Sequence, residues 1–307
     1  MKSNIKKIII IYILLFIFLF MIINSSIVMK SVISAIDIWK NSVFPALFPF
    51  FIISDLLINY NFIDYLGILL LKPMKFIFGF NKSSLFIFFM SMLTGFPSSS
   101  KYIVKLLENN VIDIDTANRM ITCSHFSNPL FIFGTIRTII NNTTSCIIII
   151  VSHYLGNIII AWATKHKIKY KDESNIKIKK QSFSDCLSSS IVNNTNTLLF
   201  ILGSIIIFLI ITSIFDAYLG NNTIISVLIS GLFEITQGIN KINLLPLSIS
   251  FKTMLITMFI SFGGLCIHIQ TIGIISNSSI RYNNFFKARL LHCLISGFSA
   301  YIISLLF

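Results

Sequence analysis

With 307 residues, 55% of them hydrophobic, only 11% charged and 30 of them phenylalanine, the chain has too little polar surface for a soluble globule. A net charge of +13 would suit a nucleic-acid binder. The lysines, however, gather at the amino terminus and between Lys165 and Lys180, beside apolar runs, so membrane topology accounts for them and no nucleic-acid partner is expected. Cys123, Cys146, Cys186, Cys266 and Cys293 are isolated, which gives neither a disulfide framework nor a zinc spacing.

Lys2, Lys6 and Lys7 precede the apolar run Ile8 to Ile23, too long for a signal-peptide core. It reads as a retained span whose basic head keeps the amino terminus cytoplasmic, and residues 1–34 form an anchor. Val28 to Trp39 predicts an interfacial amphipathic helix ahead of a second span, Val43 to Tyr60, kinked by Pro45 and Pro49. Asp55, late in that span, reads as interfacial. Phe62 to Phe80, with Lys72, Pro73 and Lys75, predicts a broken or interfacial element, and Ser84 to Met92 re-enters the membrane. That run is then interrupted. Gly95 and Pro97 break helical hydrogen bonding, and Ser98, Ser99, Ser100 and Lys101 follow at once. Backbone broken at membrane depth survives only inside protein or beside a polar cavity.

Asp113 is placed to cap a helix through Arg119 to Cys123. A second break, Ser124 to Pro129, puts Asn128 and Pro129 at the head of the apolar run Leu130 to Ile136, where helix amino termini offer unpaired N–H groups. Ser145 to Ala163 is a span that closes a first repeat over residues 35–164. Residues 165–183 form a basic cytoplasmic linker. The second repeat, 184–307, has a polar lead-in at Ser184 to Thr195 and a span at Thr197 to Tyr218. It has breaks at Gly231 to Gly238 and at Phe262 to Gln270, the latter containing Gly263 and Gly264. A last span, Leu290 to Phe307, follows Arg281, Lys287 and Arg289 on the cytoplasmic side. Each half thus has two breaks, and the halves enter the membrane from opposite sides. The expected fold is an all-α polytopic membrane protein of two inverted repeats with discontinuous or re-entrant helices.

Lys101 either binds an anionic group or snorkels to water. Glu234, read as the only carboxylate deep in the second half's apolar sequence, is a cation ligand, a proton carrier, a partner for Lys101 or half of a structural pair. Gln237 continues its polar face. His268 and Gln270 share a face only in extended backbone, so an unwound tip is expected there. The serines beside Lys101 lack the base and oxyanion motif of a hydrolase. No enzyme, cofactor or metal is expected.

The ordered set Phe44 to Phe51, Gly95 to Lys101, Ser127 to Phe131, Glu234 to Gly238 and Gly263 to Gln270 resembles the YlbJ-type sporulation integral membrane proteins. These belong to the wider nucleoside-recognition or Gate-domain group. The resemblance spans residues 35–295 and implies Gate-type repeats, a role in sporulation and the spore cortex, and a place in the mother-cell or forespore membrane. Transport of a small polar or anionic solute, with a coupling ion, follows by analogy of fold alone. The rival reading is a scaffold that recruits spore-envelope assembly factors. The lipid bilayer is a partner on either reading, and a homo-oligomer stays open.

Overall fold

The structure is a computed structural model and describes residues 2–165, 182–220 and 223–307. The linker expected at 165–183 therefore lies almost wholly outside the described residues. Helix α1, Lys2–Ile23, is exposed over most of its apolar surface, as a helix in lipid is, and packs on the protein only near its end, where Phe20 is buried beside Val28, Ile210 and Ile214. Helix α2, Ser25–Ile38, runs through a π-helical turn, Trp39–Val43, into α3, Phe44–Asn59. The expected interfacial helix is absent; α2 and α3 form one 35-residue run. The wide turn lies directly before Pro45, where a missing N–H would disturb an α-helical register. Trp39 at the turn donates its Nε1–H to Leu198 O at 2.8 Å.

The second half also joins two expected elements. Helix α10, Phe183–Leu219, is continuous over 37 residues and absorbs the polar lead-in. Ser182 caps it by accepting from Asp185 N, and its polar residues Ser190 and Asn194 are buried against protein. The end of α3 lies beside the start of α10, so the two long runs are antiparallel.

Between the long runs the chain is built of short helices. Helix α4, Phe62–Phe78, is continuous through Pro73, and the break expected inside Phe62 to Phe80 falls instead at its end, where it meets α5, Lys82–Thr94, at 95°. Then come α6, Ser98–Glu108, α7, Ile114–Cys123, a second π-helical segment, Phe131–Ile136, and α8, Arg137–Ile140. Asp113 accepts from Thr116 N at 2.7 Å and caps α7. Helix α9, Thr143–Ala163, spans. After α10 follow α11, Ile224–Phe233, α12, Ile235–Leu244, α13, Ile249–Phe262, α14, Gly264–Ile275, and α15, Tyr282–Ser304. Helices α9, α13 and α15 pack against one another at the centre of the bundle.

Among the described residues six helical runs are long and apolar enough to cross a bilayer, or seven if the bent α4–α5 pair counts as one. No strand occurs among the described residues. The protein is therefore an all-α polytopic membrane protein.

Candidate functional site

Each break is positioned by its neighbour. Helix α5 ends at Gly95, φ +76°, whose Cβ, were there one, would lie 2.5 Å from Asn128 N. Only glycine permits both that conformation and that approach. Phe96 N donates to Phe126 O at 2.7 Å, and Asn128 Nδ2 donates to Thr94 O at 3.3 Å and to Ala46 O at 2.9 Å. Pro97 is the N-cap of α6, and Pro129 follows Asn128, whose Oδ1 accepts from Leu130 N at 2.6 Å. The second half repeats the contact. Gly264, φ +59°, brings α14 so close to the other break that its Cβ would lie 3.2 Å from Phe233 O, and Gly263, φ +96°, is the N-cap of α14.

All four breaks border one buried cavity of about 70 Å³, lined by Phe96 and Pro97, Ser127 and Asn128, Glu234 and Thr236, and Cys266 and Gln270, with Ala46 and Leu47 of α3 beside Ile201 and Ile205 of α10. Helices α6, α12 and α14 each begin at this cavity. Glu234 is 6% exposed and accepts from Gln237 N at 2.8 Å, capping α12 with its own carboxylate. The N-termini of α6 and α14 have no side-chain cap. Ser127 Oγ is buried without a partner, and Gln270 Nε2 donates to Ser204 Oγ at 3.0 Å. The chemistry offered is one carboxylate, two amides, hydroxyls, the Cys266 thiol and the uncapped start of α6, a mixed polar site in an apolar surround. Among the described residues no three His, Cys, Asp or Glu side chains group as metal ligands.

The sequence-predicted residues divide among five places. Asn128, Glu234 and Gln270 meet at the cavity. Ser98, Ser99 and Ser100 form the buried first turn of α6; Ser98 Oγ is 2.5 Å from Thr94 Oγ1 and also donates to Gly95 O, so the Ser98 hydroxyl serves the broken backbone. His268 is elsewhere. Because α14 is helical from Gly264 onward, the expected unwound tip does not form, and His268 and Gln270 point apart. His268 Nδ1 lies 2.8 Å from Tyr282 OH and its Nε2 lies 3.1 Å from Phe262 O, among the rings of Phe262, Phe285 and Phe286.

Lys101 lies apart from Glu234, in a cleft of about 300 Å³ between α3, α6 and the start of α10. Its Nζ donates to Asn194 Oδ1 at 2.5 Å and Thr197 Oγ1 at 3.0 Å, and sits 4.8 Å from the Phe51 ring centroid. Asp55 anchors the same cleft, accepting from Lys105 Nζ at 2.8 Å, Ser190 Oγ at 2.8 Å and Asn194 Nδ2 at 2.9 Å. The interfacial reading of Asp55 missed these partners, which lie 50 or more residues away along the chain. Gln237 lines a third cleft, of about 560 Å³, with Asp216 and Lys241. Asp216 is thus a second carboxylate inside the second half's apolar sequence, correcting the view that Glu234 is alone there. Lys241 pairs with Asp216 and donates to Ser230 Oγ at 2.7 Å and Ser226 Oγ at 3.1 Å.

Fold and site together define a multi-pass, all-helical membrane protein whose paired helix breaks enclose a polar interior. The chain is similar to the sporulation integral membrane protein YlbJ of Bacillus subtilis (strain 168), 28% identical over 298 residues that cover 84% of this chain and 73% of the relative. That similarity bears out the YlbJ-type resemblance. No protein-family model matches it, and no solved structure is significantly similar.

Proposed function

We propose that the protein is a transporter or permease of a sporulation membrane, built of two inverted Gate-type repeats, which moves a small polar solute and serves formation of the spore cortex. One observation carries this reading: four helix breaks border a single small cavity that sets a few polar groups in an apolar wall. Backbone breaks at membrane depth cost several kcal/mol for each unsatisfied group, so four of them at one point are a costly way to build a passive anchor. The inverted relation is supported by the antiparallel long runs and by the order of elements, which in each half is a long run, two broken pairs and a closing span, with α4 an additional helix after the first half's long run. Chemistry at the cavity is binding chemistry; its polar groups offer no nucleophile with a base and an orienting group.

The test is rescue of heat-resistant spores in a null strain by Glu234→Gln and Gln270→Leu, with membrane abundance measured alongside. Loss of a hydrogen bond worth about 1.4 kcal/mol lowers solute affinity about tenfold, so both variants should rescue poorly at normal abundance. Full rescue by both would instead favour a scaffold that recruits spore-envelope factors.

A further inference from the structure

The two outer clefts are the same site built twice. Laying Lys101 of α6 on Gln237 of α12 without a gap brings Val104 onto Asn240, Lys105 onto Lys241 and Glu108 onto Leu244. These four α6 positions line the first cleft, and their four α12 counterparts line the other. The long runs agree. Ser189, Ser190 and Asn193 near the start of α10 fall on Lys30, Ser31 and Ser34 near the start of α2, again without a gap and again as cleft-lining positions. Each cleft is completed by an aspartate from the end of the other long run, Asp55 or Asp216, which pairs with the matched lysine. Each also holds one lysine outside that pair, Lys101 or Lys30, among hydroxyl and amide side chains.

We infer that these clefts are the two mouths of the protein on opposite membrane faces, that both admit the same small solute bearing an anionic group with hydroxyl or amide functions, and that their Asp–Lys pairs close them in turn. The solute class follows from the extra lysine and the neutral polar wall common to both clefts. Glu108 is an exposed carboxylate at the end of α6 and is screened by water. Alternate closure follows from the unequal pairs. The Asp216–Lys241 side chains are 13% and 9% exposed, against 19% and 40% for Asp55 and Lys105, so the α12 latch is the more enclosed of the two although its cleft is the wider. Two matched latches on either side of one cavity can be tight in turn only if the halves rock against each other. This inference rests on the transport reading, but its test needs no solute.

The experiment places single reporters, Ser189→Cys and Ser213→Cys, in the full-length chain carrying Cys186→Ser, in oriented membrane vesicles. Labelling rates with anionic and cationic membrane-impermeant methanethiosulfonates are then compared, with the reporter-free parent as background. The expected result is labelling of the two reporters from opposite faces, faster with the anionic reagent. That preference should drop by about threefold at Ser189→Cys on adding Lys101→Met, and likewise at Ser213→Cys on adding Lys30→Met. Asp216→Asn should speed labelling in its own cleft and slow it in the other. Labelling of both reporters from one face, no preference for the anionic reagent, or a latch variant that alters only its own cleft would overturn the proposal. Full rescue of sporulation by the central-cavity variants would defeat the transport reading while leaving this labelling pattern as it is.

Discussion

Gly95 carries two constraints at once, a left-handed backbone and a 2.5 Å approach to Asn128 N, and this pair of demands is what joins the first two breaks. Gly95→Ala should therefore lower the thermal midpoint of the detergent-solubilised protein through a loss of about 2 kcal/mol or more. Gly203→Ala, in the middle of α10 with open space where its Cβ would go, should be neutral or raise stability by up to about 1 kcal/mol. Fluorescence-detected size exclusion after heating compares the two directly. Arg289 makes the same point for a charge. Expected at the cytoplasmic edge, it instead lies inside α15, 0% exposed, because α15 begins at Tyr282. Its NH1 lies 2.6 Å from His292 Nδ1, and its NH2 donates to Thr122 O and, at 3.3 Å, to Asn157 Oδ1. The guanidinium thus holds the carboxyl end of α7 just before its break. A lysine has no planar fork to span these acceptors, so Arg289→Lys should destabilise nearly as much as Arg289→Met, each by about 3 kcal/mol in the same assay.

At the scale of elements, the long runs are the framework and the broken pairs are what they hold. The two latches are equivalent in sequence register but unequal in burial, which separates their energetics. Removing the carboxylate with Asp216→Asn leaves the Lys241 ammonium enclosed and should cost about 3 kcal/mol. Asp55→Asn leaves Lys105, 40% exposed, free to reach water, and should cost less than about 1 kcal/mol. Thermal midpoints of the two variants at one pH test the order; equal shifts would mean that the burial difference has no energetic weight. Sequence made the breaks themselves legible, since Gly95, Pro97, Pro129, Gly263 and Gly264 interrupt apolar runs with residues that cannot continue a helix in lipid. Helix continuity was less legible. A π-helical turn ahead of Pro45 and a polar stripe buried against a neighbour both look like helix ends until the neighbour is present.

For the whole molecule, the proposed transport reading puts the working residues in the interior and gives the basic segment at 165–183 the part of a connection. Neutralising the lysines between Lys165 and Lys180 should shift topology or abundance at most. Variants that still insert correctly should give wild-type counts of heat-resistant spores, read together with an accessibility assay for orientation. A loss of spores at normal abundance and orientation would point to partner recruitment through that segment.

The sequence by itself determined that the chain lives in a bilayer and that its apolar runs are broken by Gly95, Pro97, Pro129, Gly263 and Gly264. These properties follow from local composition and from the backbone's need for hydrogen bonds where water is absent. Only the tertiary structure decided which polar residues meet. Asn128, Glu234 and Gln270 share a cavity, Lys101 answers to Asn194 and Thr197 rather than to Glu234, and His268 turns away to Tyr282. Such partnerships depend on helix rotation and on contacts between residues far apart in the chain, which a run of apolar letters does not encode.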